Sequence, residues 1–355
     1  MEYIKFLEEI IADTAKEHAS DLHLTVGRHP VLRVAGQLIP LTRHPLLAPA
    51  DTMGLAEAIL GKTAFVEFQK KHDLDISYAF HDKIRFRVNA YMQKSFAGVA
   101  LRAIPVKIPT LEELNLPPIL VDFTHREQGF FLTVGPTGHG KSTTLASMVD
   151  VINHEKTEHI ITIEDPIEYI FTPDRCLIDQ REVGEDTSDF ATAMRSMFRE
   201  DVDAVMIGEM RDPETISTAV TAAETGHLVL SSLHTNNAAQ TIDRIIDTFP
   251  ATQQSQIRSQ LANTLIGIFS QRLIPRTSGG LIPAYELLIS TPAVRNLIRE
   301  NKVHELDLVI ETSGEIGMIS FNRSLVDLIR RGEITMESAL AFSLNPKELQ
   351  TLAGR

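Results

Sequence analysis

The segment GPTGHGKST, Gly135 to Thr143, constrains this chain more than any other feature. It satisfies G-x-x-x-x-G-K-[ST], follows the apolar run GFFLTV and precedes a helical pattern that begins at 141. Glycines let such a loop curl until its backbone N–H groups converge on an anion, and the start of the next helix adds its dipole. The reading places Gly135, Pro136, Thr137, Gly138, His139, Gly140, Lys141, Ser142 and Thr143 around the phosphates of ATP. Lys141 is expected to reach the β- and γ-phosphates, and Ser142 to ligate Mg2+. His139 is unusual in such a loop. Its backbone can still cradle phosphate, so its side chain is read as exposed variation.

A strand–loop–helix unit demands company of its own kind. Three more short apolar runs, HIITI, DAVMIG and LVLSSL, alternate with helical patterns near 188–199, 213–224 and 237–246. Continuous apolar runs between helices are what a parallel sheet buried on both faces requires. Asp212-Pro213 reads as an N-cap with proline at the first helical position, and Gly226 closes that helix. From about 250 the pattern is mostly helical, with a turn at Ser278-Gly279-Gly280.

The first hundred residues follow a different rule. Residues 3–18 place Phe6, Leu7, Ile10 and Ile11 on one helical face, and Leu22, Leu24 and Val26 then alternate. A hairpin is expected around Ala35-Gly36-Gln37 and a helix within 51–71, before the alternating runs LDISYAF and IRFRVNAYM and a strand over 97–103. This is an α+β pattern with an antiparallel sheet. IPVKIPTLEELNLPPI then carries four prolines. The expected organisation is an α+β domain over 1–103, a linker over 104–118 and an α/β nucleotide-binding domain with a helical C-terminal part over 119–355.

Charge narrows the function. Lys and Arg number 34 against 47 Asp and Glu, a net of −13. Residues 1–107 hold 14 basic and 12 acidic side chains, so the excess acid lies in the remainder. That balance disfavours nucleic acid as a partner. The single cysteine, Cys176, leaves no Cys-cluster zinc site and fits a reducing compartment. No run of 18 apolar residues is present, and acids interrupt the apolar pattern of the N-terminus, unlike a signal peptide. A cytoplasmic protein is expected.

Hydrolysis of a nucleoside triphosphate needs acids at neighbouring strand ends. ITIEDPIEY places Glu164 at the end of HIITI, and DAVMIGEMRD places Glu209 after DAVMIG. Glu164 is the candidate to polarise the attacking water. Gly208 and Glu209 stand where an aspartate for Mg2+ is usual, so Glu209 is expected to support metal and water indirectly. His227 and His234 flank LVLSSL, and His234, after a parallel strand, could place a donor beside the γ-phosphate. In IRFRVNAYM, Phe86 and Val88 share one strand face while Arg85, Arg87 and Asn89 share the other. With Arg102 on the next strand, Arg87 could form an anion clamp, supported by Arg85; a solvated strand face is the plainer alternative.

Together GPTGHGKSTT, ITIEDPIEY, GEMRD and AAETGHLVLSSLHTNNAAQTIDRIIDTFP resemble the four boxes of the secretion ATPase superfamily: Walker A, Asp box, degenerate Walker B and His box. The set is most similar to the PilT-type pilus retraction ATPases: SDLHL resembles their N-terminal domain, and QREVGEDT and AVRNLIRE resemble retraction ATPases in particular. The resemblance implies a PAS-like N-terminal domain, a RecA-like ATPase domain and a hexameric ring that couples ATP hydrolysis to pilus disassembly at the cytoplasmic face of the inner membrane. It implies that Glu164 is the catalytic glutamate, Glu209 the Walker B acid and metal supporter, and His234 the γ-phosphate sensor. Arg87 and Arg102 match arginines that the N-terminal domain supplies to a nucleotide in the ring. A membrane platform protein and a paralogous retraction ATPase are the implied partners. FREDVDAV lacks the proline of the family's REDPD stretch. An accessory retraction or secretion ATPase, a RecA-like nucleic-acid translocase and a non-hydrolysing ring are the competing expectations. The amphipathic AVRNLIRE is read either as a docking surface, through Val294, Leu297 and Ile298, or as core.

Overall fold

A computed structural model describes residues 2–17, 19–34, 36–80, 84–104 and 107–354. The chain divides into two compact units, one of Met1–Lys107 with Glu168–Ile170, the other of Ile108–Ile167 with Phe171–Arg355. The division falls within the proline-rich stretch. Residues 168–170 group with the first unit, which nothing local in the sequence signals.

The first unit runs α1 (Tyr3–Lys16), β1 (Asp21–Leu24), β2 (Val31–Val34), β3 (Gln37–Pro40), α2 (Pro49–Lys71), β4 (Asp73–Phe80), β5 (Ile84–Gln93) and β6 (Phe96–Ile104). All pairings in its sheet are antiparallel, in the order β3-β2-β1-β6-β5-β4. Phe6, Leu7, Ile10 and Ile11 of α1 are buried, as the helical spacing requires. Phe86, Val88 and Ala90 of β5 join Val99 and Leu101 of β6 in the same core. Alternation therefore sends Arg85, Arg87 and Asn89 to the other face. Ala35, in the expected hairpin turn, lies outside the described residues.

The second unit runs α3 (Leu120–Thr124), β7 (Gly129–Val134), α4 (Lys141–Glu155), β8 (His159–Glu164), β9 (Leu177–Glu182), α5 (Phe190–Met197), β10 (Ala204–Ile207), α6 (Pro213–Glu224), β11 (Leu228–Leu233), α7 (Ala238–Asp247), α8 (Ala251–Thr264), β12 (Leu265–Pro275), β13 (Leu281–Ile289), α9 (Pro292–Arg299), α10 (Leu306–Thr312), α11 (Phe321–Arg330), α12 (Met336–Phe342) and α13 (Pro346–Ala353). Its sheet has the order β13-β12-β7-β11-β10-β8-β9, and only β13 runs antiparallel to its neighbour. Every residue of β7, β10 and β11 is buried, so both faces of this sheet are covered. Asp212 caps α6 by accepting the Thr215 N–H at 2.9 Å, with Pro213 in the first turn.

Three features of the second unit add to the expectations or decide between them. The chain after 250 is mostly helical, as expected, but it also holds two long strands, β12 and β13, of 11 and 9 residues. Leu273, Ile274 and Pro275 pair with Pro283, Ile282 and Leu281 across the predicted turn. Six of the first seven residues of β12 are buried, so the period-2 signal of a half-exposed strand is absent. Edge strand β9 was not foreseen either, because LIDQRE carries little β signal and is placed by pairing to β8. Lastly, Val294 and Ile298 of α9 are fully buried and Leu297 packs against the same core, so the apolar side of AVRNLIRE is core and not a docking face.

Candidate active site

Four parallel strands deliver the site to one edge of the second sheet. Val134, last in β7, pairs with Leu233, last in β11. Ser231 of β11 pairs with Ile207, last in β10, which pairs with Ile163, next to last in β8. The residues that follow these positions are therefore the phosphate loop, His234, Gly208-Glu209 and Glu164. An edge formed by carboxyl ends of parallel strands is where α/β sheets bind ligands.

The loop leaves β7 at Gly135 and enters α4 at Lys141. Gly140 takes φ 81°, a left-handed conformation open to glycine at little cost. Gly135 is needed for closeness: a Cβ there would stand 2.3 Å from the carbonyl oxygen of Gln271. Lys141 is buried, and its ammonium donates to the carbonyls of Gly135 at 2.9 Å and Pro136 at 3.0 Å. It also lies 3.4 Å from Nδ1 of His234, to which Thr137 Oγ1 approaches at 3.2 Å. An ammonium has only donors, so Nδ1 accepts and the neutral ring carries its proton on Nε2. That N–H donates to Glu209 Oε2 at 2.9 Å. The other oxygen of Glu209 pairs with Arg211.

Glu164 is buried at the end of β8, and Thr162 Oγ1 donates to its Oε1 at 2.6 Å. Gln180 Nε2 approaches the same oxygen at 3.4 Å. Gly208 packs beside Glu164: a Cβ there would lie 3.5 Å from Glu164 Cα and 3.8 Å from its Cγ, in ordinary contact.

The structure corrects the reading of His139 as exposed variation. Its ring is half-buried, Nδ1 accepts the Leu273 N–H at 2.9 Å, and Phe342 meets it edge-on with centroids 6.5 Å apart. Sequence reasoning also missed Gln271 and Arg272. Buried Gln271 donates from Nε2 to the His139 carbonyl at 2.6 Å and accepts from Thr144 Oγ1 at 2.7 Å. Arg272 reaches Asn236 Oδ1 at 2.8 Å and the Phe342 carbonyl at 3.2 Å. A polar pair inside the apolar run LIGIFSQRLIP was the available signal, since polar groups are buried only for partners. His227 stays apart from this cluster, its Nδ1 3.0 Å from the Ala222 carbonyl at the end of α6.

In the first unit Arg87 stands directly opposite Arg102 across β5 and β6. Arg87 is exposed. Arg102 Nε donates to Asp21 Oδ1 at 2.9 Å. Burial opposes ionisation of Asp21, but the Ser20 hydroxyl and the Arg102 guanidinium hold its carboxyl below the ordinary range. Arg85 donates instead to Ser77 Oγ at 2.7 Å.

A glycine-rich loop feeding a helix, a buried lysine and two strand-end acids on a parallel sheet define a phosphate-loop nucleoside triphosphatase. The sequence pattern of the type II/IV secretion system protein family matches residues 2–310, and the chain belongs to that family, as a member of the PilT type. It is 44% identical over 333 residues to the type IV pilus retraction ATPase PilT of Pseudomonas aeruginosa, covering 94% of this chain and 96% of that protein. Identity to the type IV pilus ATPase PilU of the same organism is 40% over 353 residues, 99% of this chain and 91% of that one. A crystal structure of the pilus retraction motor PilT with bound ADP superimposes with a TM-score of 0.91 at 46% identity, covering 97% of this chain and 98% of the other.

Proposed function

We propose that this chain is an ATP-hydrolysing motor that powers type IV pilus retraction, and with it twitching motility. The observation that carries the reading is the meeting of Lys141, His234 and Glu209 in one hydrogen-bonded row, with Glu164 on the same sheet edge. Similarity to a retraction ATPase over nearly the whole chain supplies the mechanical task.

Within this reading the second unit is a RecA-like ATPase domain, assigned to 119–355, and residues 1–103 form a PAS-like domain joined by 104–118. Residues 135–143 cradle the phosphates, with Lys141 on the β- and γ-phosphates. Glu164 accepts the proton of the attacking water, held in place by Thr162. His234, fixed by Glu209, reports on the γ-phosphate.

Mg2+ fits the residues present. Ser142 offers a hydroxyl in the first turn of α4, while Glu209 is engaged by His234 and Arg211 and suits an indirect contact. Among the described residues no group of three or more His, Cys, Asp or Glu could hold a metal by itself. Mg2+ seldom needs one, because waters and substrate phosphates complete its shell. When bound, the ion neutralises charge on the phosphates.

The chain works as a homohexamer at the cytoplasmic face of the inner membrane, against a platform protein and beside a paralogous retraction ATPase. No described helix is long and apolar enough to cross a membrane. Arg87 and Arg102 serve a nucleotide in the ring. An accessory retraction role is the second reading, favoured by the 40% identity to PilU.

Phosphate release by the full chain, with and without DNA, tests the enzyme; pilus retraction in a strain lacking the protein tests the task. Lys141→Ala should abolish tight ATP binding, since it removes the cation bonded within the loop. Unchanged ATP affinity in that variant, or stimulation by DNA without any retraction defect, overturns the proposal.

A further inference from the structure

We infer that His139 is a positioning residue for the nucleotide: its unprotonated Nδ1 accepts the Leu273 N–H and pins the phosphate loop to the overhanging end of β12.

The overhang has a simple origin. Strand β7 stops at Val134, opposite Ser270, because the chain must turn into the phosphate loop. Strand β12 continues to Pro275, paired on its other side with β13. Past Ser270, β12 has therefore lost its neighbour on the β7 side, and polar backbone groups there need other partners. The loop supplies one for the Leu273 N–H, and the Gln271 side chain reaches back to the loop. His139 takes the Leu273 N–H at 2.9 Å, and the His139 carbonyl takes Gln271 Nε2 at 2.6 Å. One loop residue is thus held through both side chain and backbone by two residues of the same strand. The next residues are Gly140 and Lys141, where the loop becomes the first turn of α4.

A backbone N–H can only donate, so Nδ1 must be unprotonated. Two cations face the ring, Arg272 from β12 and Lys141 from the start of α4, and Phe342 closes it from α12 without charge. Burial first, then Arg272 and Lys141, push the imidazole below its ordinary value. Protonation would set N–H against N–H and release the loop from Leu273. Acid should therefore weaken nucleotide binding through a residue that touches no phosphate through its side chain.

This inference rests on the assignment of residues 135–143 to the nucleotide. Steady-state phosphate release over pH 5.5–8, with roughly equal melting temperatures as a check on folding, tests it in the full chain. H139F keeps a ring against Phe342 but lacks the acceptor. It should raise KM for MgATP about 5- to 30-fold, the scale of a donor left unpaired, and change kcat far less. H139N keeps an acceptor at the δ position and does not titrate, so it should recover most of that loss. The ratio of wild-type KM to H139N KM should grow as pH falls; the titration of ATP itself cancels in this ratio. A normal KM in H139F, no recovery in H139N, or a ratio constant with pH overturns the role of His139. If H139F does not fold, the ratio alone decides. Failure of the underlying assignment is separable, because Lys141→Ala would then bind ATP normally.

Discussion

Nε2 of His234 lies 2.9 Å from Oε2 of Glu209. The same ring presents its other nitrogen 3.4 Å from the Lys141 ammonium. One imidazole thereby links the cation of the phosphate loop to the acid after the neighbouring strand, and its tautomer is set by the donor on one side and the acceptor on the other. Both ring nitrogens are engaged, so His234→Ala should lower kcat by about 10²-fold, the scale for misplacing the groups that it holds. Nucleotide affinity should fall much less, because Lys141 keeps its two loop carbonyls. Paired turnover and binding measurements check this; equal losses in both would mean that His234 only holds the loop together.

Glu164→Gln should bind ATP and hydrolyse it about 10²- to 10⁴-fold more slowly. An amide fills the same space but cannot accept the proton of water. The Thr162 hydroxyl can still donate to the amide oxygen, so the site should keep its shape. Single-turnover phosphate release separates chemistry from product release. Normal turnover in Glu164→Gln with a large loss in Glu209→Gln would exchange the two roles.

Arg102→Ala should reduce turnover more than affinity. An arginine that acts on a neighbour's nucleotide contributes about 10³- to 10⁵-fold, and Arg87, directly opposite, would soften the loss. Mixing Arg102→Ala subunits with Lys141→Ala subunits should restore part of the activity, because some interfaces then join an intact arginine to an intact loop. No activity at any ratio in confirmed mixed rings would argue against action between subunits.

Glu286 gives the stability a pH dependence. It lies on β13 and accepts the Ala238 N–H at 2.8 Å, within a cavity of about 240 Å³ lined also by Asp307, Glu311 and Glu348. Burial, with a smaller push from Asp307 and against the Ala238 bond, raises its pKa from 4.5 to about 7. The folded protein holds this proton more tightly than the unfolded chain does. The stabilisation is therefore complete below 4.5 and is lost as pH rises to about 7. Glu286→Gln removes the titration and keeps an acceptor for Ala238. It should raise the melting temperature at pH 8.5 and do much less at pH 5, with a ceiling of about 3 kcal/mol for a shift of this size. Equal effects at both pH values would remove Glu286 as the source.

How much of this was legible beforehand follows the range of each signal. A phosphate loop is a contiguous pattern, and its lysine, glycines and flanking strand and helix stand where the pattern puts them. Strand ends carrying Glu164, Glu209 and His234 were readable because parallel strands announce themselves as short apolar runs. The face of β5 that bears Arg87 followed from simple alternation.

What holds the site in shape was not readable in that way. His139 and Leu273 are 134 residues apart, Gln271 and Thr144 are 127 apart, and Glu286 and Ala238 are 48 apart. No periodicity spans such distances, since helix and strand periods describe only which face of one element is buried. By itself the sequence determined that a glycine-rich loop joins β7 to the start of α4, because that contiguous pattern of glycines, lysine and first helical turn is local backbone chemistry. Only the tertiary structure decided that β12 lies beside β7 and outruns it. That one pairing leaves the Leu273 N–H to the His139 ring, and the Gln271 side chain of the same strand donates to the His139 carbonyl.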